Sequence, residues 1–211
     1  MERIRKGVYS METVVLMDTS IASLNKGDNI IVECIKKEME YFTKDKFILN
    51  LPTHISPFHS YQVWRNSNRL RMYKDCNTKF VCGSNLLIPN MMTHFPQWNI
   101  NIFNYKAIKK CILVGVGQGS GDKSNYYTKT LYKKMLNKDM YHSVRDERTK
   151  IFLESMGIKA INTGCPTMWM LTPEFCKSIP TKKANNVIFT LTAKSDKDNR
   201  DQKLIDILNI N

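Results

Sequence analysis

Short apolar runs alternate along the chain with segments in which apolar residues recur every three or four positions. The runs at 13–18, 46–51, 79–84 and 110–117 are rich in Val, Ile, Leu and Phe, and they predict buried strands. Between the first two, residues 27–42 carry an apolar stripe at helical spacing. Strands that alternate with helices are typical of a parallel sheet with crossover helices. The pattern therefore predicts an α/β fold.

The same alternation continues through the second half of the chain. Helices are predicted over 124–137 and 146–156, and short strands over 140–144 and 159–164. The other predicted elements are a basic helix over 61–73, a long irregular loop over 85–106 and a short helix near 173–179. Long loops in compact domains often carry function, so the 85–106 loop is a region of interest.

A change in composition after residue 178 predicts a domain boundary. Residues 178–186, "SIPTKKANN", have the composition of a linker, and a strand over 187–193 and a helix over 198–210 follow it. The helix is expected to turn its apolar residues inward, namely Leu204, Ile205, Ile207 and Leu208. One strand and one helix cannot bury a core of their own. We therefore expect 1–180 to form one domain and 181–211 to begin a second domain that is truncated.

Net charge, cysteines and histidines indicate which partners, location and metals to expect. The formal net charge is +13 over 211 residues, which favours an anionic partner. The lysines are spread along the chain without a long basic block, so nucleic acid is not expected. The six cysteines form no C-x-x-C pair, and the chain begins with no secretion signal, so a reducing cytoplasm is the expected location. The histidines show no metal-ligand spacing, and no metal is expected.

The loop after the first predicted strand reads "NKGDN" and contains Asn25, Gly27 and Asp28. Glycine permits a tight turn, and Asp28 is expected to cap the following helix. Ligands of open parallel sheets bind at the carboxyl ends of the strands, where this loop lies. A ligand-binding loop and an ordinary capped helix start explain the motif equally well.

Two further loops at strand ends contain glycine. "CGSN" holds Gly83, Ser84 and Asn85, and "GVGQGSG" holds Gly117 and Gln118. The glycine spacing matches neither the dinucleotide fingerprint nor the P-loop, so nucleotide binding of the dehydrogenase type is not expected. The loops favour a glycine-lined wall of a cleft.

The stretch "HSVRDERTK" is the most specific local signal. Asp146 is expected to cap the next helix, which would leave Ser143 and Arg145 where a strand end meets a helix start. The arginine would offer a forked donor to a phosphate or carboxylate. The alternative is an exposed Arg–Asp pair of little energetic weight. Downstream, Cys165 is expected to be packed rather than nucleophilic, and Trp169 and Met170 are expected at a domain interface.

Five segments resemble, in order, motifs of the polysaccharide pyruvyl transferase family: "LNKGDNII", "VCGSNLL", "ILVGVGQG", "SVRDERTKIFLESMGIKAINTGCPTMWML" and "NVIFTLTA". The resemblance extends from about residue 13 to about residue 210, and the SVRDE-to-TGCPT block is its distinctive part. It implies a GT-B-like arrangement of two Rossmann-like domains with a cleft between them. This chain would supply the N-terminal Rossmann-like domain and the start of the second.

The resemblance also implies an activity. Such enzymes transfer the enolpyruvyl group of phosphoenolpyruvate to hydroxyls of a polysaccharide or lipid-linked precursor, giving a pyruvate ketal and phosphate for capsule, exopolysaccharide or cell-wall synthesis. Phosphoenolpyruvate is the donor substrate and no cofactor is implied. A lipid-linked acceptor would bring the protein to a membrane surface, and a separately encoded second domain is a further implied partner.

The family's motifs map onto the residues singled out above. Asn25, Gly27 and Asp28 would line the cleft, and Arg145 with Ser143 would contact an anionic group of the donor. The general acid is implied to come from the second domain, yet no histidine follows His142. A fragment, a split protein and an inactive truncated relative therefore stay open, and no catalytic residue is assigned. A noncatalytic sugar- or anion-binding module and a fragment of a GT-B glycosyltransferase are the alternative functions.

Overall fold

The computed structural model describes residues 12–65, 67–121, 123–186, 188 and 200–210. The chain divides into two compact units, and the first ends at Pro173. All strands described below belong to this first unit. The domain boundary expected near residue 180 stays a prediction.

A parallel four-stranded sheet forms the centre of the first unit. Its strands lie in the order β2-β1-β3-β4. They are β1 (Thr13–Asp18), β2 (Phe47–Pro52), β3 (Thr78–Cys82) and β4 (Ile112–Val114). In the register of the sheet Val14 pairs with Ile48 on one side and with Thr78 on the other. The parallel sheet and its flanking helices confirm the predicted α/β class.

Two shorter strands, β5 (His142–Val144) and β6 (Ala160–Asn162), form a second parallel ladder. A parallel bridge joins Val116 to Val144, and the Arg145 N–H donates to the Val116 carbonyl at 3.1 Å. The β5-β6 ladder therefore lies beside the continuation of β4. All six carboxyl ends consequently point to one edge, which we call the carboxyl edge.

The first six helices connect successive strands, and the last two follow β6 in the chain. They are α1 (Lys26–Glu38), α2 (Glu40–Thr43), α3 (Ser60–Trp64), α4 (Arg71–Lys74), α5 (Tyr126–Met135), α6 (Glu147–Glu154), α7 (Pro173–Ser178) and α8 (Arg200–Ile210). Short 3-10 helices span Ser67–Leu70, Tyr105–Ala107 and Pro166–Met168.

Both faces of the sheet are buried, which explains why its strands are continuous apolar runs. Val14 and Leu16 pack with α1 on one face, whereas Val15 and Met17 belong to the larger core on the other face. Successive side chains of a strand point to opposite faces, so a strand covered on both sides needs apolar residues at every position.

Three predicted elements differ from the structure. The helix expected over 61–73 is broken into α3, the 3-10 helix and α4, because polar residues such as Ser67 and Asn68 are poor helix formers. The helix expected over 27–42 is interrupted at Met39. The fourth strand is shorter than 110–117, because Lys110 and Gly115 on either side of it have φ values of 62° and 63°.

The C-terminal helix forms within the predicted range. Of the four apolar residues expected to face inward, Ile205 is half-buried and the other three are not. Leu204, Ile207 and Leu208 are all exposed. The strand predicted over 187–193 lies outside the described residues apart from Ile188. Among the described helices, none combines the length and the apolar character needed to cross a bilayer.

Candidate functional site

The loops after β3 and β4 continue the pairing of their strands at the carboxyl edge. Gly83 N–H donates to the Val114 carbonyl at 2.9 Å, and Gly117 N–H donates to the Ser84 carbonyl at 2.8 Å. Leu87 N–H then donates to the Gly117 carbonyl at 3.1 Å. The two glycine-containing loops are therefore one hydrogen-bonded unit.

Arg145 and Asn85 converge on Gly117. A Cβ atom built at Gly117 would lie 2.4 Å from Arg145 Nε and 2.5 Å from Asn85 Oδ1, and real Cβ atoms do not approach other atoms so closely. Glycine is required here because two polar side chains occupy the space beside its Cα atom. Three residues from three separate loops thus form a single group, which we call the arginine end of the carboxyl edge.

The guanidinium of Arg145 is available to a ligand. Among the described residues it makes no hydrogen bond, and its one carboxylate neighbour is Asp146, with 4.0 Å between Arg145 Nε and Asp146 Oδ2. Asp146 is engaged elsewhere, because its Oδ1 accepts from the Thr149 N–H at 2.7 Å and caps α6 as predicted. The Arg145 side chain is only 25% exposed. A half-buried guanidinium with unused donors is a candidate anion site.

Ser143 lies next to Arg145, but its hydroxyl is used within the protein. Ser143 Oγ accepts from the Gly115 N–H at 3.0 Å and shares a hydrogen bond of 2.6 Å with Thr163 Oγ1. These contacts tie the carboxyl ends of β4, β5 and β6 together. Ser143 therefore positions the strand end from which Arg145 projects.

Gln118 and Ser84 complete the predicted loop residues. Gln118 N–H donates to Thr149 Oγ1 at 2.8 Å, which fixes the loop after β4 to the first turn of α6. Ser84 is buried and has a φ of 60°, a left-handed conformation that is costly for a residue with a side chain. Strained backbone of this kind is often found at functional sites.

Close packing requires glycine at positions 83 and 115. Both have a positive φ, and a Cβ at Gly83 would lie 2.1 Å from Ile31 Cγ2 on α1. A Cβ at Gly115 would lie 2.1 Å from Pro166 Cγ in the "TGCPT" segment. Gly83 therefore lets helix α1 approach the sheet, and its side-chain position points to that helix.

The loop after β1 forms a second polar group. Asn25 Oδ1 accepts from the Gly27 N–H at 3.0 Å and caps α1, so the prediction that Asp28 caps this helix is wrong. Asp28 is instead buried within the first turn, where its Oδ2 accepts from Ser23 Oγ at 2.6 Å. The same Oδ2 lies 3.4 Å from Nε2 of His54, which follows β2.

Asp18, at the end of β1, carries the second carboxylate of this group. Its Oδ2 accepts from Lys36 Nζ at 2.6 Å, and its Oδ1 accepts from the Ser20 N–H at 2.8 Å. Burial acts to raise the pKa of Asp18, but the hydrogen bonds from Lys36 and Ser20 outweigh it and hold the pKa below its ordinary value. We call Asp18, Ser23, Asp28, His54 and Lys36 the acidic end of the carboxyl edge.

The structure thus brings the predicted residues together in two groups rather than one. Asn85, Gly117 and Arg145 meet at the arginine end, whereas Asp28 belongs to the acidic end and Asn25 and Gly27 lie in the loop beside it. Among the described residues, no hydrogen bond or ion pair joins the two ends. Nor do three or more His, Cys, Asp or Glu side chains of the described chain cluster in a way that could hold a metal ion.

Buried titratable groups beside the site stabilise the sheet. His142 Nδ1 accepts from the Leu113 N–H at 3.1 Å, and its Nε2 lies 2.7 Å from the Asn137 carbonyl. Burial lowers the pKa of His142 although the Asn137 carbonyl opposes the shift, so the imidazole is held neutral. Burial also raises the pKa of Cys82 to about 12, which keeps that thiol protonated and unreactive.

The "TGCPT" segment packs inside the first unit. Cys165 and Trp169 contact the core that α1 forms with the sheet, which agrees with a packed cysteine. Trp169 Nε1 donates to the Thr163 carbonyl at 2.9 Å. Trp169 therefore packs against its own unit, and the expectation that Trp169 and Met170 lie at a domain interface stays a prediction.

Sequence reasoning overlooked three residues of the site. His54 directly follows β2, and its place at a strand end was a usable signal. Thr149 stands three positions after the cap Asp146, which is where a capped helix offers its first N–H groups. Pro166 presses on Gly115, and nothing in the local sequence of either residue indicates that contact.

Comparison with known proteins identifies one match. A family model described as polysaccharide pyruvyl transferase matches residues 25–211, which includes both ends of the carboxyl edge except for Asp18 and Ser23. The chain matches no curated protein and no solved structure.

Proposed function

Because the chain belongs to the polysaccharide pyruvyl transferase family, we propose that it binds phosphoenolpyruvate and takes part in the transfer of its enolpyruvyl group to a glycan. The family's name identifies a glycan as the acceptor. The donor, the ketal product and a lipid-linked form of the acceptor belong to our proposal. So do the GT-B-like arrangement, in which a second domain would close over the carboxyl edge, and a cytoplasmic location.

The observation that carries the proposal is the availability of Arg145. Phosphoenolpyruvate carries a phosphate and a carboxylate, and a guanidinium fork can donate two parallel hydrogen bonds to either group. Asn85 adds an amide beside the guanidinium, and Gly117 lacks the side chain that would displace both groups. The arginine end therefore has the charge and the donors that an anionic donor substrate needs.

The proposed reaction requires a cation such as the Arg145 guanidinium. Protonation of the methylene carbon of phosphoenolpyruvate makes it a methyl group and leaves positive charge on the neighbouring carbon. One sugar hydroxyl bonds to that carbon, the carbon–oxygen bond to phosphate breaks, and a second hydroxyl completes the ketal. The two hydroxyls release two protons. One replaces the proton that the methylene carbon took up, and the other leaves with phosphate. Arg145 would stabilise the negative charge on the departing phosphate.

Substitution of Arg145 tests this assignment. Arg145→Gln removes the charge while keeping a polar side chain, and we expect phosphoenolpyruvate to bind roughly 10- to 100-fold more weakly by isothermal titration calorimetry. Arg71→Gln is the matched control, because Arg71 is exposed and only 3.8 Å from Asp75 in a surface pair. The control is expected to bind phosphoenolpyruvate as the parent chain does.

Four outcomes separate the alternatives. Failure of the parent chain to bind phosphoenolpyruvate would overturn the proposal, and binding of uridine diphosphate in its place would favour a glycosyltransferase. Binding without phosphate release, measured with a panel of disaccharides that carry adjacent free hydroxyls, would favour a noncatalytic module. A separately supplied second domain that restores phosphate release would identify the chain as one half of an enzyme.

A further inference from the structure

A surface of aromatic and lysine side chains includes none of the carboxyl-edge residues described above. It lines a groove of about 510 Å³ between α3, the loop before β4 and α5. We call it the aromatic–lysine surface and define it by Trp64, Phe103, Tyr105, Lys106, Tyr126 and Lys134. None of its residues has a role in the proposed transfer reaction.

The aromatic rings of this surface are exposed to solvent. Trp64 is 53% exposed, Phe103 55% and Tyr126 85%. The Trp64 indole N–H donates to the Phe103 backbone carbonyl at 2.9 Å, which anchors the indole beside Phe103. Single exposed apolar residues need no explanation, but a contiguous group of them that lines a groove marks an interaction site.

Lysine ammonium groups lie over these rings. Lys106 Nζ is 3.8 Å from the centre of the Trp64 ring, and the Tyr105 ring has Lys109 Nζ at 5.3 Å and Lys134 Nζ at 5.9 Å. Within the described chain no acidic residue lines the groove. The surface is therefore apolar and cationic at once.

The positive charge continues beyond the groove. An adjoining depression shares Lys134 and is lined by four further lysines, with Asp139 as its one acidic residue: Lys109, Lys110, Lys133 and Lys138. A partner that covers the aromatic rings must therefore also neutralise a dense group of ammonium ions.

We propose that the aromatic–lysine surface docks onto a membrane that contains anionic phospholipids. Indole and phenol rings suit the boundary between headgroups and acyl chains, where one side of the ring meets hydrocarbon and the other meets water. Lysine stems extend along apolar surface while their ammonium groups reach the lipid phosphates. Anionic headgroups supply the charge that the lysine cluster requires.

Two other possible partners match the charge and the aromatic rings of this surface less well than an anionic membrane does. A second copy seated face to face would bring the lysines of both copies together, which is unfavourable. A neutral glycan would leave the lysine charges without partners. Besides the lysines and tyrosines, the described lining residues with hydrogen-bonding side chains are Thr130 and Trp64, and the Trp64 N–H is already used within the protein. This inference does not depend on the proposed transfer reaction.

Sedimentation with vesicles tests the proposal on the full chain. Vesicles of 30% phosphatidylglycerol in phosphatidylcholine are expected to bind the protein, whereas pure phosphatidylcholine vesicles bind it much more weakly. The combined substitution Lys106→Gln and Lys134→Gln is expected to weaken partition about 30-fold, since each lysine near the surface contributes on the order of 1 kcal/mol. Raising the salt concentration should weaken binding of the parent chain in the same direction.

The controls separate docking from general surface chemistry. Tyr126→Ser tests a ring that is 85% exposed, and Tyr41→Ser is its matched control on α2, where the ring is 87% exposed and Lys44 Nζ lies 5.2 Å from its centre. Tyr126→Ser is expected to weaken vesicle binding severalfold, and Tyr41→Ser is expected to leave it unchanged. Circular dichroism of each variant checks that the fold is retained.

Several results would overturn the inference. Absence of binding to the anionic vesicles would do so, as would binding that the lysine and Tyr126 substitutions leave unchanged. Self-association that disappears in the same variants, measured by light scattering, would assign the surface to a second copy. Binding of a neutral disaccharide that depends on Tyr126 would assign it to a glycan.

Discussion

The two ends of the carboxyl edge both carry charged residues but use those charges in opposite ways. At the acidic end, Asp18 is paired with Lys36, and Asp28 accepts from Ser23 and lies beside His54. At the arginine end, the Arg145 guanidinium has no hydrogen-bonding partner among the described residues, and its nearest carboxylate caps a helix instead.

The charges at the acidic end stabilise the fold, whereas the charge at the arginine end is available to a ligand. A buried carboxylate that accepts several hydrogen bonds is satisfied and contributes to the fold. A half-buried guanidinium that lacks a partner retains unused donors, which an anionic ligand can satisfy. A charged residue at a strand end is therefore a weak indication of a binding site. A charged residue that has no hydrogen-bonding partner within the protein is a stronger one.

The largest expected effect concerns Gly83, which packs against helix α1. Gly83→Ala places a methyl group 2.1 Å from Ile31 Cγ2 at a φ of +64°, so we expect the free energy of unfolding to fall by about 3 kcal/mol. Chemical denaturation measures this loss. The affinity of the folded fraction for phosphoenolpyruvate should not change, because the new methyl group meets Ile31 and not Arg145.

Gly157→Ala is the matched control for the steric part of that loss. Gly157 also has a positive φ, +75°, but no atom lies within 4 Å of the Cβ position. The backbone strain alone should cost about 1–2 kcal/mol. Equal losses in the two variants would show that contact with α1 contributes nothing at Gly83.

A smaller effect is expected from Asp18→Asn, which breaks the ion pair of the acidic end. The pKa of Asp18 lies below its ordinary value in the folded protein, so its contribution is present above the unfolded pKa near 4 and is lost as pH falls through the folded pKa. We expect the variant to be less stable by roughly 2 kcal/mol at pH 7. The difference from the parent chain should shrink as the pH is lowered.

Denaturation at several pH values measures this dependence. Asp75→Asn is the control, because Asp75 forms an exposed pair with Arg71 and should contribute only a few tenths of a kcal/mol. A deficit of Asp18→Asn that stayed constant down to pH 2 would contradict an ionised Asp18. Phosphoenolpyruvate affinity at neutral pH should be the same in both variants.

The smallest expected effect comes from substituting the glycine of the arginine end. In Gly117→Ala the new methyl group displaces Arg145 and Asn85, and we expect phosphoenolpyruvate to bind about tenfold more weakly with little change in stability, because both side chains can move toward solvent. Gly119→Ala is the matched control, since its Cβ would meet nothing closer than Ile88 Cγ2 at 3.4 Å. Calorimetry on both variants measures the difference, and equal affinities would contradict the convergence of ligand-binding groups on Gly117.

Much of the fold could be predicted from local patterns. The apolar runs placed β1 and β2 to within a residue, and Asp146 was identified as a helix cap from its position before α6. The ends of β4 were not predictable, because the left-handed residues Lys110 and Gly115 that limit it are defined by tertiary contacts such as that with Pro166. The cap of α1 was misassigned because Asn25 and Asp28 both have side chains suited to the role.

The amino-acid sequence by itself determined the class of fold and the family of this protein. Hydrophobic periodicity records which residues are buried, and the order of the motifs records common descent. Only the tertiary structure decided that Arg145 is available while Asp28 is engaged. Strand order brings Asn85, Gly117 and Arg145 together from distant parts of the chain, and the hydrogen bonds that satisfy a charge or leave it open form only after those parts have met.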